Sequence, residues 1–510
     1  MSRRSAKVIL ILAGAGVLLS LALATAQHVR PRRVATDTAA GSVIRVAAGG
    51  DLQAALERAR PGDTVMLAAG ATYRGAFRLP KKAGASFVTV RTSASDAQLP
   101  AAGERLDPRR HAALLPKLVG GVSGEPVVRA EPGTHHYRFV GIEFGPTVGG
   151  ENDIVQLGTG REATAEELPH DFEFERCYFR GDARTGQRRG IALNARAVAV
   201  RDSHFADFKR EGDESQAMAG WGGPGPFEIT NNYIEAAGEG VLFGGAAPAM
   251  QVTPADIVVR GNHFNKPTAW RSGRWVVKNH LELKNARRVL IEGNLLTNVW
   301  TSGQEGTAVL FTVRAEDGRA PWAAIEDVEF KGNVVRGAGN CFLVHAYEGR
   351  GGRRLVIRDN LFADIDKARW GGDGKFLVVS QWDGLTVEQN TIITSGAITS
   401  AYGRPTTGFV FRRNIVTHNE YGFHGDGREP GAASLGAFFP GAQVSDNAIV
   451  GGRPQDYSAR NAYPATLDAV GFVDWRAGDF RLRPDSPLLR GGAHVGAHVE
   501  ALPQSYLSTR

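Results

Sequence analysis

Cysteine is nearly absent from this chain: Cys177 and Cys341 are the only two among 510 residues. A disulfide-stapled scaffold is therefore excluded, and two buried free thiols are expected. Long apolar runs are as scarce. Only Val8 to Ala24, about 17 residues, approaches the length that spans a bilayer. No Lys/Arg block stands out despite a formal charge of +7, and part of that charge sits at the extreme N-terminus. A concentrated basic stripe is what nucleic-acid binding needs, so nucleic acid is not an expected partner. Helical stretches of ten or more residues between strands are also missing, which excludes an alternating βαβ architecture.

Arg3, Arg4 and Lys7 precede the apolar run, and Ala24-Thr25-Ala26 follows it with small residues suited to cleavage. Residues 1–26 thus read as a secretory signal peptide, with an uncleaved N-terminal membrane anchor as the alternative. Residues 27–42 read as a linker, 43–500 as the folded domain and 501–510 as a tail. Export to the periplasm or the medium is expected.

The dominant signal is a repeat. Short alternating stretches recur as "FEITNNYI" (227–234), "IVVRGNHF" (257–264), "VLIEGNLL" (289–296) and "VEFKGNVV" (328–335). They continue as "LVIRDNLF" (355–362), "LTVEQNTI" (385–392), "FVFRRNIV" (409–416) and "AQVSDNAI" (442–449). The sixth position is always Asn, at 232, 262, 294, 333, 360, 390, 414 and 447, at intervals of 24 to 39 residues. Each unit is too short to bury a core alone, so units must stack. Asn is expected at the turn, because it tolerates left-handed backbone and its amide can bond the Asn of the next coil.

After each Asn comes another apolar stretch, such as "HLELKN" (280–285), "TAVLFTVR" (307–314) and "CFLVHAY" (341–347). Three short strands per coil predict an all-β, single-stranded right-handed parallel β-helix of about 10–12 coils. The amphipathic stretch Leu52 to Ala59 is expected to form an N-terminal capping helix, and "GDFRLRPDSPLLRGG" (478–492) to close the last coils. Five coils would hold Cys177 and Cys341 roughly 24 Å apart, beyond disulfide reach. The chain is expected to be a monomer.

Together, "PGDTVMLAAGATYRG" (61–75), the Asn repeats and "GDFRLRPDSPLL" (478–489) resemble exported bacterial proteins of the pectin-lyase-like β-helix superfamily. The resemblance runs over nearly all of the chain after residue 42. "SQAMAGWGGPGPFEITNNYIEAAGEGVLFGG" (215–245) and "VKNHLELKNARRVLIEGN" (277–294) also resemble a narrower group of bacterial right-handed β-helix proteins of unestablished activity. The superfamily includes pectate, alginate and chondroitin lyases, galacturonases, epimerases and non-catalytic adhesins. The resemblance thus implies a polysaccharide partner more strongly than a particular reaction.

In such folds carbohydrate lies along one sheet, which resembles the strands after each Asn. With Leu281 and Leu283 pointing in, His280, Glu282 and Lys284 point out. The row continues through Arg314, His345, Tyr347, Trp382 and Asp426, and backward through Glu239, Trp221 and Gln216. Clustered His, aromatic and charged residues exceed what a solvated face requires. β-Elimination on a uronic acid needs a base and a cation facing the carboxylate, followed by protonation of the leaving oxygen. Lys284, Arg314, His345 and Glu282 are the catalytic candidates, with His345 or Tyr347 as the proton donor. Hydrolysis needs two spaced carboxylates, and Glu239, Glu282, Glu305 and Asp426 form no evident pair.

His280, Trp221, Glu239, Tyr347, Trp382, Arg271 and Trp300 are the candidate substrate-binding residues. Trp270, Trp275, Trp300 and Trp322 are either sugar platforms or loop packing. Lys266, Arg271 and Arg274 would suit an anionic glycan. "EGDES" (211–215) is the only dense acidic cluster near this sheet and gives weak support for calcium. His135-His136 and the C-terminal "GGAHVGAHVE" (491–500) show no matched ligand partners in sequence, so no metal is expected. The expectation is an acidic-polysaccharide lyase, with a non-catalytic glycan-binding protein or a glycoside hydrolase as the alternatives.

Overall fold

The computed structural model describes residues 41–457, 460–489 and 494–503. The leader (1–26), most of the linker and most of the tail lie outside the described residues. Among the described residues no helix is long and apolar enough to cross a membrane.

Three all-parallel sheets of 14, 13 and 12 strands build the domain. The chain visits them in that order on each coil: Ala286–Glu292 joins the 14-stranded sheet, Leu295–Val299 the 13-stranded and Thr307–Thr312 the 12-stranded. Every strand pairs with its equivalents one coil away, as in Val289↔Val328↔Leu355↔Leu385↔Phe409. This is a parallel β-helix with 12 to 14 strands in each sheet, and its first coils precede the Asn repeat that begins at Asn232. Its interior is a stack of like residues. Phe139 and Phe174 lie 5.1 Å apart, and Phe144 and Phe179 4.7 Å apart, with rings nearly parallel.

The asparagines run through the corner between the 14- and 13-stranded sheets. Asn294 donates its backbone N–H and its side-chain amide to Asn333 Oδ1, both at 2.9 Å, and donates again to Val259 O. The same pattern joins Asn232 to Asn262, and continues from Asn447 to Asn461, where the sequence repeat is no longer visible. At the N-terminal end Ser203 continues the ladder, donating its N–H to Asn232 Oδ1. One expectation is corrected. The left-handed residue is the one before each Asn, such as Gly293 (φ 63°), Gly332 (φ 62°) and Asp359 (φ 56°). Asn is selected there as a buried donor-acceptor, not as a turn-former.

Leu52–Arg58 is a short helix whose Asp51 side chain accepts from Ala54 N, with Leu52, Ala55 and Leu56 buried in the core at the first coil. The C-terminal segment does more than close the final coils. It folds back along the outer face of the 13-stranded sheet, where Val470, Phe472, Phe480 and Val499 pack against Leu295, Val334, Leu361 and Ile415. His498 N–H bonds Asp359 Oδ1 at 2.7 Å and Ala497 N–H bonds Thr391 Oγ1 at 3.1 Å. Near the last coil, helix Ala432–Phe438 is followed by Phe439, whose ring lies 4.4 Å from that of Phe409. Cys177 and Cys341 are both free and buried.

Replacing Asn333 by Ala leaves the Asn294 donors and Ile291 O unpaired in the core. Each stranded buried group costs about 1–3 kcal/mol. The thermal unfolding midpoint of N333A should fall by several degrees, and an unchanged midpoint would show that the ladder contributes nothing.

Candidate functional site

Outer faces separate the sheets. On the 14-stranded sheet, Arg260, Glu292, Lys331, Arg358, Glu388 and Arg412 form a row in register, with mostly alternating sign. Its charges are spent on their neighbours, as Arg260–Glu292 at 2.7 Å and Arg412–Glu388 at 2.7 Å illustrate. The 13-stranded sheet is covered over its later coils by the C-terminal segment. The 12-stranded sheet, by contrast, carries a continuous polar row over its middle coils.

That row stacks Asp153, Arg189, Gln216 and Glu239 directly on one another. Arg189 donates to Asp153 at 2.8 Å and to Gln216 at 3.1 Å, and Gln216 donates to Glu239 at 3.0 Å. Lys278 then places its ammonium 2.8 Å from Glu239 and 2.7 Å from Glu214. Burial alone would lower the Lys278 ammonium, but Glu239, Glu282 and Glu214 together raise it above its ordinary value. Burial and the nearby Glu282 raise the carboxyl of fully enclosed Glu239, against the pull of Lys278. For this pair the governing direction is that of Lys278, because carboxylates converge on a single ammonium.

The row steps sideways to Glu282, which accepts from Asn279 at 3.0 Å and faces the Lys284 ammonium at 3.6 Å. Lys284 is partly exposed, and its stem crosses Gly245, where a Cβ would come within 3.0 Å of it. Gly244 and Gly245 are both left-handed, which bends the chain out of the way. One coil on, Arg314 donates its backbone N–H to Lys284 O at 3.1 Å, and its guanidinium pairs with Glu348 at 2.8 Å. Tyr347, half exposed, lies with its ring 4.6 Å from that of His345. His345 Nδ1 meets the Tyr402 hydroxyl at 2.9 Å, while its buried Nε2 has no hydrogen-bond partner among the described residues. Burial, with Arg314 adding, brings the His345 imidazole down to about 4. It is therefore neutral at pH 7 and a poor proton donor.

The structure thus groups Glu239, Glu282, Lys284, Arg314, His345 and Tyr347 on one sheet. Trp221 lies at its edge, with Arg189 stacked 5.0 Å from its ring centroid. Five candidates fall elsewhere. His280 precedes the strand Leu281–Leu283, so the alternation does not reach it. It turns inward, packs on Phe264 and bonds Thr297 O at 2.9 Å. Trp382 begins a strand of the 14-stranded sheet and is buried against Gly352.

Trp300 sits with Trp270, Trp370 and Val277 in a separate small core, which decides the indole question there for packing. Arg271 is laid over Trp300 and Trp370 and donates to Arg369 O. Lys266, read as glycan-facing, is fully enclosed and donates to the carbonyls of Ala236, Ala237, Gly238 and Asn279. Burial brings it down to about 7.

Calcium does not fit the acidic cluster. Glu214 is taken by Lys278, and Asp213 lies 3.4 Å from Arg188. Sequence alternation marks Lys278 beside His280, Glu282 and Lys284 without nominating it, and Asp153, Arg189, Glu348 and Tyr402 are missed. Lys278 lies on an extended segment outside any strand. Asp153 and Arg189 do stand two residues before an inward apolar residue, the same offset as Glu239, which is the signal that would have found them.

No family model matches this chain, and no curated protein does either. Among solved structures, a PL6-family alginate lyase, AlyGC, superposes with a TM-score of 0.57 at 14% identity, over 91% of this chain and 58% of that one. The likeness is one of fold: a right-handed parallel β-helix. This chain spans less than two thirds of that lyase's length. A PL6 polysaccharide lyase from Pseudopedobacter saltans gives a TM-score of 0.45 at 11% identity, covering 81% of this chain and 94% of that one. A tailspike protein of E. coli bacteriophage HK620, in complex with a pentasaccharide, gives 0.43 at 12%, covering 81% and 62%.

Burial holds His204, His263 and His345 at about 4, below the ordinary value of 6.5. The unfolded chain then binds more protons than the folded one between those values, so the stability they carry is complete above about 6.5 and lost as pH falls through about 4. Thermal midpoints should drop across that window, and the drop should be smaller in H345Q. An identical slope in wild type and H345Q would remove His345 from this account.

Proposed function

We propose that this chain is a polysaccharide lyase acting by β-elimination on a uronic-acid-containing polysaccharide. The observation that carries the reading is the placement of Lys284 and Arg314 on adjacent coils of the polar sheet, joined by a main-chain hydrogen bond. Lys284 passes its ammonium proton to Glu282, 3.6 Å away, and then takes the proton from C5 of the uronate. Arg314 neutralises the carboxylate that makes that proton acidic. Electrons released at C5 form the C4–C5 double bond as the C4–O bond breaks, and the leaving oxygen takes a proton from Tyr347. Tyr347 is preferred to His345 for this step because the imidazole is neutral and buried. Glu282 orients Lys284, while Lys278 and Arg189 hold the row rigid.

The fold shared with an alginate lyase supports this reading, as does the absence among the described residues of an unspent pair of carboxylates on this sheet, which disfavours hydrolysis. The leader-like N-terminus supports action outside the cytoplasm. One observation favours non-catalytic glycan binding instead. Both cations are already paired, Arg314 with Glu348 and Lys284 with Glu282.

The test is to incubate the protein with uronic-acid polymers, alginate first, and follow absorbance of the unsaturated product. Release of that product is expected, with K284A slower by about 10²–10⁴-fold, the range of a lost general base. Binding without unsaturated product would leave the glycan-binding reading, and new reducing ends without unsaturation would leave hydrolysis.

A further inference from the structure

A second cluster of reactive side chains lies away from the polar sheet, at the start of two strands of the 14-stranded sheet. His135–Val140 and His170–Glu175 pair in register, His170 on His135 and Phe172 on Tyr137, which sets Asp171 beside His136. His136 (φ 57°) and Asp171 (φ 58°) share the same left-handed bulge. The equivalent positions one coil before and one coil after are Phe87 and Ala197. Ligand-type residues therefore fill this bulge in two successive coils and are bounded by carbon on both sides.

The atoms converge. One ligand atom from each of His136, His170 and Asp171 falls within a mutual distance of 4.8 Å. His136 Nε2 is 4.0 Å and His170 Nδ1 2.7 Å from Asp171 Oδ2. His135 Nδ1 meets His136 Nδ1 at 2.8 Å, and its ring stacks on His170 at 4.7 Å. One proton shared between the two Nδ1 atoms, held by His136, directs the His136 Nε2 lone pair toward Asp171. This is how a partner outside the coordination sphere fixes a ligating imidazole.

We propose that His136, His170 and Asp171 form a binding site for a divalent first-row transition metal such as zinc, with His135 as the residue that orients His136. Two imidazoles and a carboxylate suit zinc and its neighbours, whereas calcium prefers oxygen alone. Two ligand atoms on one such ion stand about 3–4 Å apart, given bonds of about 2.0–2.2 Å. The 4.0 Å gap already fits, and the His170–Asp171 hydrogen bond opens as both atoms turn to the metal. Three protein ligands leave a fourth position to solvent. The ion joins two consecutive coils, and so acts as a cross-coil staple that stabilises whichever state binds it. The sequence offers no spacing signal, because the partners of His135-His136 come from the next coil.

The test uses the full chain, stripped with chelator, dialysed against zinc chloride and analysed for bound metal. One zinc per chain is expected, together with a higher thermal midpoint in zinc than in chelator. H136A/H170A should lose both effects, and H494A/H498A, which removes the stacked histidine pair near the C-terminus, should keep both. Should the double variant fail to fold, H170Q and D171N preserve hydrogen bonding and report the same two quantities. Wild-type protein that retains no zinc, zinc retained equally by the His136, His170 and Asp171 variants, or zinc lost with the C-terminal pair would each overturn the proposal. Calcium chloride should leave the midpoint independent of these three residues, and a calcium shift that vanishes in D171N would refute the choice of metal. None of these readings depends on lyase activity.

Discussion

A side-chain amide that accepts two hydrogen bonds from the coil before it, and passes on the same pair to the coil after, sets the register of this molecule. Parallel strands have no hairpin to fix their pairing, so a one-residue slip is always available to them. From Asn232 onward the Asn side chain of each coil removes that freedom. Its Oδ1 takes both the backbone and amide N–H of the preceding Asn, from Asn232 through Asn447 to Asn461. A slipped coil would strand at least two buried donors, and in a dry interior that costs more than most strand contacts return. The charge row from Arg260 to Arg412 depends on this register.

In-register stacking also builds the polar row of the 12-stranded sheet. Because coils stack in register, one residue per coil is enough to place Asp153, Arg189, Gln216 and Glu239 in line. Stacked like charges a strand spacing apart would repel, and the row avoids this by alternating acid, base, amide and acid before closing on Lys278. A surface built this way is stiff. Each charged group has its orientation fixed by the next, and Lys266 anchors the turn beneath through four carbonyls. The arrangement is an elongated surface laid across several coils.

Much of this was legible from sequence where a period governs it. The Asn spacing gave the coils, and alternation within Leu281–Leu283 placed Glu282 and Lys284 correctly on the outer face. Legibility ended where the period ended. His280 is one residue outside the strand and turns in. Trp382 follows the strand Leu377–Ser380 but already belongs to the next sheet. Lys266 and Lys278 lie on irregular segments between strands, where nothing in the sequence separates a solvated lysine from a buried one. The back-folded C-terminal segment has no repeat partner to betray it. His170 and Asp171 were invisible as partners of His136 because in-register stacking, not local spacing, brings them together.

That C-terminal segment changes how the stack should come apart. A chain of coils touching only their neighbours can fray from either end, one unit at a time. Here residues near position 498 are tied to Asp359, 139 positions earlier in the chain, with further ties at Thr391 and Arg413. The last several coils therefore cannot peel away singly, because the strap bridges them all and must detach first. An otherwise one-dimensional, zipper-like assembly gains a long-range clasp, so its C-terminal third should open as a single cooperative unit.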